Sequence, residues 1–162
     1  MIIREVQPEV DRDRVLAGAQ FADAFRVTVA DTDIDARAAA QRMFSRSPRW
    51  VEALIELRNL IVAPFGLKTS GEHEPNAGGM IGLFPVLDET PQRLVAGFDD
   101  RHLDFRVVVD VAPAISGRDV TVTTLVLTNN RLGRAYLAVI MPFHRMIAKT
   151  LLRQLCLSPA PR

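Results

Sequence analysis

The sequence predicts an α+β fold: an antiparallel sheet of about six strands, two short helices after the first strand, and a long C-terminal helix. Three observations predict it. A strand pattern at 24–30 precedes two helical patterns. Residues 80–140 then hold consecutive runs rich in β-branched residues, separated by turns short enough for hairpins. The helical period returns from 142 to 157.

The N-terminal region is predicted to lead into the first strand. Residues 1–20 are polar and irregular, with one helical turn expected around 15–19. The segment "AFRVTVA" (24–30) then alternates, with Phe25, Val27 and Val29 on one side and polar residues on the other. This is the period of a half-buried strand.

Two helices are expected next. In "DTDIDARAAAQRMF", Thr32 and Asp35 are spaced like a capping box before an alanine-rich body. In "SRSPRWVEALIELRNLIVAPFG", Ser47 is a candidate N-cap and Pro48 the first helical residue. Trp50 of that second helix is expected to fill the core of the protein or, alternatively, to close one end of a cavity. The segment "KTSGEHEPNAGG" (68–79) is expected to be an exposed loop.

Five further strands are predicted before the final helix. They are "MIGLFPVL" (80–87), "RLVAGF" (93–98), "HLDFRVVVDV" (102–111), "DVTVTTLVLTN" (119–129) and "RAYLAVI" (134–140). Pro142 is expected to open the C-terminal helix, and Pro159 follows its end.

Length and composition indicate one soluble domain. The chain has 162 residues, 48% of them hydrophobic, and a net charge of +1. We expect a single domain over 1–162, with its core at 20–157, an N-terminal lead-in at 1–19 and a tail at 158–162. The near-neutral charge disfavours nucleic acid as a partner.

The same composition predicts a cytoplasmic protein without a cofactor. Cys156 is the single cysteine, and neither a signal peptide nor a membrane span is indicated. The three histidines are spread over three segments without a metal-binding motif. A P-loop and a dinucleotide-binding pattern are both missing, so we predict no metal and no cofactor.

The strand at 102–111 combines an apolar face with a charged one. Leu103, Phe105, Val107, Val109 and Val111 share the face expected to point towards the C-terminal helix. His102, Asp104 and Arg106 would then lie on the outer face, in a cross-strand charge network or a subunit interface. Alternatively, strand curvature turns His102 and Asp104 to a cavity mouth, where they could act as a general base.

Two polar side chains are candidates for contact with a ligand. His144 shares a helical face with Ile147, Ala148, Leu151 and Leu155, so it would face the sheet as either a core residue or a ligand contact. Tyr136 shares a face of the last predicted strand with Ala138 and Ile140, so its ring could pack in the core, or its hydroxyl could reach a ligand.

Four segments resemble a known bacterial family. They are "FADAFRV", "GFDDRHLDFRV", "TTLVLTNNRLGRAYL" and "MPFHRMI", in an order that spans roughly residues 20–155. The chain is similar here to domain of unknown function family 2867, placed in the START and birch-pollen-allergen-like superfamily. That resemblance implies the helix-grip fold, in which a curved sheet wraps around the C-terminal helix, and it brings no assigned catalytic residues. It also implies binding of hydrophobic molecules, with some superfamily members acting as cyclases or hydrolases.

The leading hypothesis is therefore a protein that binds a small hydrophobic molecule between sheet and helix. Its apolar lining would come from Phe105, Val107, Val109, Ile147 and Leu151, and its polar anchors from His144 and Tyr136. A second hypothesis is a cyclase- or hydrolase-like enzyme that uses His144, or His102 with Asp104, as acid or base. A third is a closed core whose outer sheet face mediates assembly, for instance as a homodimer.

Overall fold

The computed structural model describes residues 2–45 and 78–157, together with Arg49, Glu56 and the 3₁₀ turn Ala63–Phe65. The described elements are, in order, β1 (Arg4–Val6), α1 (Arg12–Leu16), β2 (Phe21–Val29), α2 (Ala36–Phe44), β3 (Met80–Ile81), β4 (Phe84–Glu89), β5 (Arg93–Asp99), β6 (Leu103–Ala114), β7 (Gly117–Thr128) and α3 (Arg131–Leu157).

The strands form a curved sheet in the order β1-β2-β7-β6-β5-β4-β3, with every neighbouring pair antiparallel. The α+β class and the antiparallel sheet are thus confirmed, but among the described residues the sheet has seven strands rather than about six. Its centre is the β6–β7 hairpin, which pairs continuously from Leu103 and Thr128 to Ala114 and Gly117. Because β2 lies beside β7, the first long strand becomes a neighbour of the last one.

One face of the sheet, called here the inner face, packs against α2 and α3. Strand alternation brings Phe25 and Val27 of β2, and Val107 and Val109 of β6, into the main core cluster. The helices contribute small or aliphatic side chains to the same cluster: Ala36, Ala39, Ala40 and Met43 from α2, and Ala148, Leu151, Leu152 and Leu155 from α3. The apolar face predicted for 103–111 therefore points towards the helices, as expected.

The opposite face, called here the outer face, is partly covered by the N-terminal region. Val10 and Leu16 pack with Val95, Val108 and Leu125 in a second, smaller core cluster. Asp11 caps α1, because its carboxylate accepts hydrogen bonds from the N–H groups of Asp13 and Arg14. The expectation of an irregular N-terminus was wrong, because β1 adds a strand to β2; three residues are too few to show a strand period.

The C-terminal helix begins earlier than predicted. The strand expected at 134–140 and the helix start expected at Pro142 are both wrong, because one helix runs from Arg131 to Leu157 with Pro142 inside it. Asn130 provides the start, since its Oδ1 accepts a hydrogen bond of 3.0 Å from the N–H of Gly133. Of residues 134–140 only Val139 and Ile140 are β-branched, and the others tolerate a helix well.

Of the two helices expected after the first strand, the structure confirms one, and the other lies outside the described residues. The helix after strand one is α2, with Asp35 rather than Thr32 as its N-cap; the Asp35 carboxylate accepts from the N–H of Ala38 at 2.7 Å. The helix expected from Ser47, its Trp50 and nearly all of the loop at 68–79 lie outside the described residues. Within the described part of the chain, the three helices include none with an apolar stretch able to cross a bilayer.

Candidate binding site between the sheet and the C-terminal helix

A carboxylate lies on the otherwise apolar inner face of β2. Asp23 follows Phe21 and precedes Phe25 on that face, and only 7% of its surface is exposed. The strand register places Thr124 of β7, itself 4% exposed, directly opposite Asp23. Buried carboxylates are rare in proteins unless they are paired, so this position calls for a partner.

His144 of α3 is that partner. Its Nε2 lies 3.1 Å from Asp23 Oδ1, and its side chain is 17% exposed. The ring of Phe21 meets the imidazole edge-on, with centroids 5.7 Å apart and planes at 89°. The prediction that His144 points from the helix towards the sheet is consistent with this contact.

The hydrogen bonding of the pair fixes which atoms remain open. A carboxylate can only accept, so Nε2 of His144 carries the proton and donates to Asp23 Oδ1. In a neutral imidazole Nδ1 is then an acceptor. Asp23 Oδ2 is buried, and no described residue supplies it with a hydrogen bond. With a neutral imidazole, the pair therefore offers two acceptors, Oδ2 and Nδ1.

The side chains predicted to line the site share this side of the sheet. Val107, Val109 and Leu151 are buried in the main core cluster, while Phe105 and Ile147 pack against it and remain partly exposed. Phe105 also belongs to an aromatic group with Phe84 and Phe98, at centroid distances of 5.1 and 5.7 Å. The apolar surface is thus continuous from the β4–β6 end of the inner face to its centre.

Tyr136 lies on α3, about two turns before His144, and not on a strand as predicted. Its side chain is half-buried, as are those of Leu137, Ile140 and Met141 on the same half of the helix. By contrast, Leu151, Leu152 and Leu155 in the other half are buried. The N-terminal half of α3 is therefore less completely packed than the C-terminal half.

His102 takes part in the attachment of α3 to the sheet. Its Nδ1 lies 2.7 Å from Asn130 Nδ2, and its carbonyl accepts from the N–H of Asn129 at 2.9 Å. A Cβ on Gly133 would lie 2.0 Å from the same carbonyl oxygen, so only glycine allows this close approach. Asp104 accepts from Asn129 Nδ2 and from the N–H of Asp100, both at 3.2 Å. These contacts give both residues a structural role.

Arg106 stays on the outer face, as predicted. It donates to the carbonyls of Phe98 and Phe105 at 3.0 and 2.9 Å and pairs with Asp99 of β5 at 2.6 Å. The expected cross-strand charge pairing is present here.

The outer face also carries an open groove of about 670 Å³ that the sequence did not predict. The groove is lined by the ion pair of Arg93 and Asp110, whose Nε and Oδ1 lie 2.5 Å apart, and by Thr123. It lies across the sheet from Asp23 and His144.

Sequence reasoning missed Asp23. The segment "FADAFRV" does indicate it. Phe21, Phe25 and Val27 alternate along one face of a strand, and Asp23 lies on that same face between Phe21 and Phe25. A charged residue at an inward position of a strand is the feature that would have identified it.

Comparisons with known proteins give a family but no described activity. No curated protein matches this chain. Similar solved structures include a protein from Rhodobacter sphaeroides, with a TM-score of 0.47, 15% identity and 96% of each chain covered. Another is a protein from Chromobacterium violaceum, with a TM-score of 0.45, 13% identity and 88% of this chain and 99% of that chain covered. A third is CalU16 from Micromonospora echinospora, with a TM-score of 0.40, 13% identity and 83% and 75% covered. The model of the family described as protein of unknown function (DUF2867) matches residues 15–151, and the chain belongs to that family.

Proposed function

We propose that the protein binds a small hydrophobic molecule between the inner face of the sheet and α3, in a helix-grip arrangement. Asp23 and His144 are the polar anchor of this site. The observation that supports the proposal best is the buried Asp23 Oδ2, which lacks a hydrogen-bond partner among the described residues. A buried acceptor left unpaired costs about 1–3 kcal/mol, which a ligand hydrogen bond would recover.

The surroundings of the pair fit a ligand site. Such sites are mostly apolar, with a few polar groups that orient the ligand. The half-buried Phe84, Phe98 and Phe105 provide apolar area on the sheet. The half-buried residues in the N-terminal half of α3 provide it on the helix. A ligand that covered these side chains would gain roughly 25 cal/mol for each Å² of apolar surface removed from water.

Native mass spectrometry of the freshly purified chain tests the proposal. We expect a co-purified hydrophobic molecule that is released on denaturation, and we expect less of it with His144→Gln and Asp23→Asn. Asp110→Asn on the outer face is the control and should retain the molecule. A bare mass, together with no thermal stabilisation by a panel of lipophilic compounds, would contradict the proposal.

An acid-base enzyme of the cyclase or hydrolase kind is the second candidate. The hydrogen bond from Nε2 to Asp23 fixes the imidazole tautomer and leaves Nδ1 as the basic atom, which is the arrangement that general-base catalysis uses. In that case, incubation would convert the co-purified molecule into a product of different mass. The variant His144→Gln should then lower turnover by roughly 10²-fold or more, whereas for a binding protein it should lower only affinity.

A further inference from the structure

We infer that the ligand presents a hydrogen-bond donor, a hydroxyl or an amine, to the pair of Asp23 and His144, and that a carboxylate is rejected there. The inference rests on the proposed function and names the functional group that the site selects. It follows from the acceptors that the pair leaves open and from the charge of Asp23.

The first argument is the balance of donors and acceptors. Asp23 Oδ1 is already occupied by His144 Nε2, at 3.1 Å. Asp23 Oδ2, which has no hydrogen-bond partner among the described residues, can only accept, and so can His144 Nδ1 when the imidazole is neutral. A hydroxyl or amine satisfies either of them. A carbonyl, an ether or a carboxylate brings only more acceptors and leaves buried atoms unpaired.

The second argument is electrostatic. A ligand carboxylate would lie beside the carboxylate of Asp23, which is more than nine-tenths buried, and like charges in an apolar site repel strongly. Beyond His144, α3 carries Arg145, Lys149 and Arg153. The Nζ of Lys149 lies over the ring of Phe25, 5.7 Å from the centroid, and Arg153 is exposed. Arg145 is exposed and pairs with Glu5 at 3.4 Å. A protonated amine, by contrast, gains an ion pair with Asp23.

Thr124 provides a further means of recognition. It faces Asp23 across the β2–β7 pairing and is 4% exposed, and a hydroxyl can donate or accept. Its neighbour Thr123 is also buried but lines the groove on the outer face. Two adjacent threonines on opposite faces of one strand thus form a matched pair for mutagenesis.

Chain-matched probes test the inference on the unmodified protein. The probes are decanol, decylamine, decyl methyl ether and decanoate, each measured by isothermal titration calorimetry at pH 7. We expect decanol and decylamine to bind at least about tenfold more tightly than the ether, a difference of about 1.4 kcal/mol, and decanoate to bind most weakly. A preference for the amine over the alcohol would identify a cationic ligand, and the reverse a neutral one.

Variants locate the selection. Asp23→Leu should abolish the preference for donors, and Thr124→Val should weaken it, while Thr123→Val should leave it unchanged. If decanoate or the ether binds the unmodified chain as tightly as decanol, the inference is wrong but the proposed function stands. If none of the probes binds and the purified chain holds no small molecule, the proposed function itself fails.

Discussion

Asp23 Oδ1 and His144 Nε2 lie 3.1 Å apart although 121 positions separate the two residues in the sequence. The contact connects the first long strand of the sheet to the middle of the last helix. It also places two ionisable groups inside apolar surroundings, where each depends on the other for its hydrogen bond.

The first prediction concerns the energetic coupling of this pair. His144→Leu leaves the carboxylate of Asp23 buried without a partner and should lower the free energy of unfolding by about 1–3 kcal/mol. The double variant Asp23→Leu with His144→Leu should be more stable than His144→Leu alone, because the buried carboxylate that lost its partner is removed as well. Urea unfolding of the native chain, of Asp23→Leu and His144→Leu, and of the double variant gives the coupling energy. Additive effects of the two substitutions would show that the residues do not interact.

The second prediction concerns the start of α3. Glycine to alanine usually stabilises a helix interior by roughly 0.5–1 kcal/mol. Gly133→Ala should do the opposite, because its Cβ would lie 2.0 Å from the carbonyl oxygen of His102. We expect a lower melting temperature. The control is Ala138→Gly, an exposed position of the same helix, which should cost only the propensity difference. An unchanged or raised melting temperature for Gly133→Ala would contradict the close approach.

The third prediction concerns stability in acid. A hydrogen bond from Arg42, together with one from the N–H of Asp33, lowers the pKa of Asp31 below its ordinary value. The stabilisation is therefore full above the unfolded pKa of about 3.9 and is lost as pH falls through the lower folded pKa. Asp31→Asn should be less stable than the native chain at pH 7 and equally stable in strong acid. Arg42→Gln should show the same dependence of the free energy of unfolding on pH, measured by urea titration. If the free energies of native chain and variant instead differed by the same amount at every pH, the pairing of Asp31 with Arg42 would be refuted.

The fourth prediction separates structure from assembly on the outer face. Arg106 is 13% exposed and holds two backbone carbonyls, so Arg106→Ala should lower the free energy of unfolding by about 1–3 kcal/mol. Arg93→Ala removes the ion pair of a more exposed arginine, which is 40% exposed, and should cost about 1 kcal/mol or less. Light scattering should give the same mass for native chain and variants. A mass change with Arg106→Ala would instead support assembly through this face.

The long strands β2, β5, β6 and β7 were predictable because their side-chain period is local, whereas the single strand expected at 80–87 is divided into β3 and β4. Phe25, Val27 and Val29, and likewise Phe105, Val107 and Val109, alternate with polar or outer-face residues, and one buried face is enough to fix their orientation. Strand β1 was not predictable, since its formation depends on backbone pairing with a strand that follows it in the chain.

The site was only half predictable. The spacing of His144 and Leu151 predicts that the histidine lies on the side of the helix that contacts the sheet. Its partner, Asp23, could not be predicted, because the contact depends on β2 lying beside β7, and the side-chain period of a strand does not reveal such a long-range pairing. The position of Tyr136 could not be predicted, because a proline is typical of a helix start and Pro142 therefore indicates that the helix begins after Tyr136. A proline inside a helix costs about 3 kcal/mol, and tertiary packing at both ends of α3 outweighs that local preference.

Pro142 has a mechanical consequence. Without an N–H it leaves the carbonyl of Ala138 without its intrahelical donor, so α3 is weakest at this point. On one side the helix is fixed by Gly133 against His102, and on the other by its packing with α2. The helix thus consists of two anchored segments joined by a hinge at Pro142, and His144 lies two residues beyond Pro142. Bending at this hinge would lengthen or shorten the distance between His144 and Asp23 while both anchored ends of α3 remain in place.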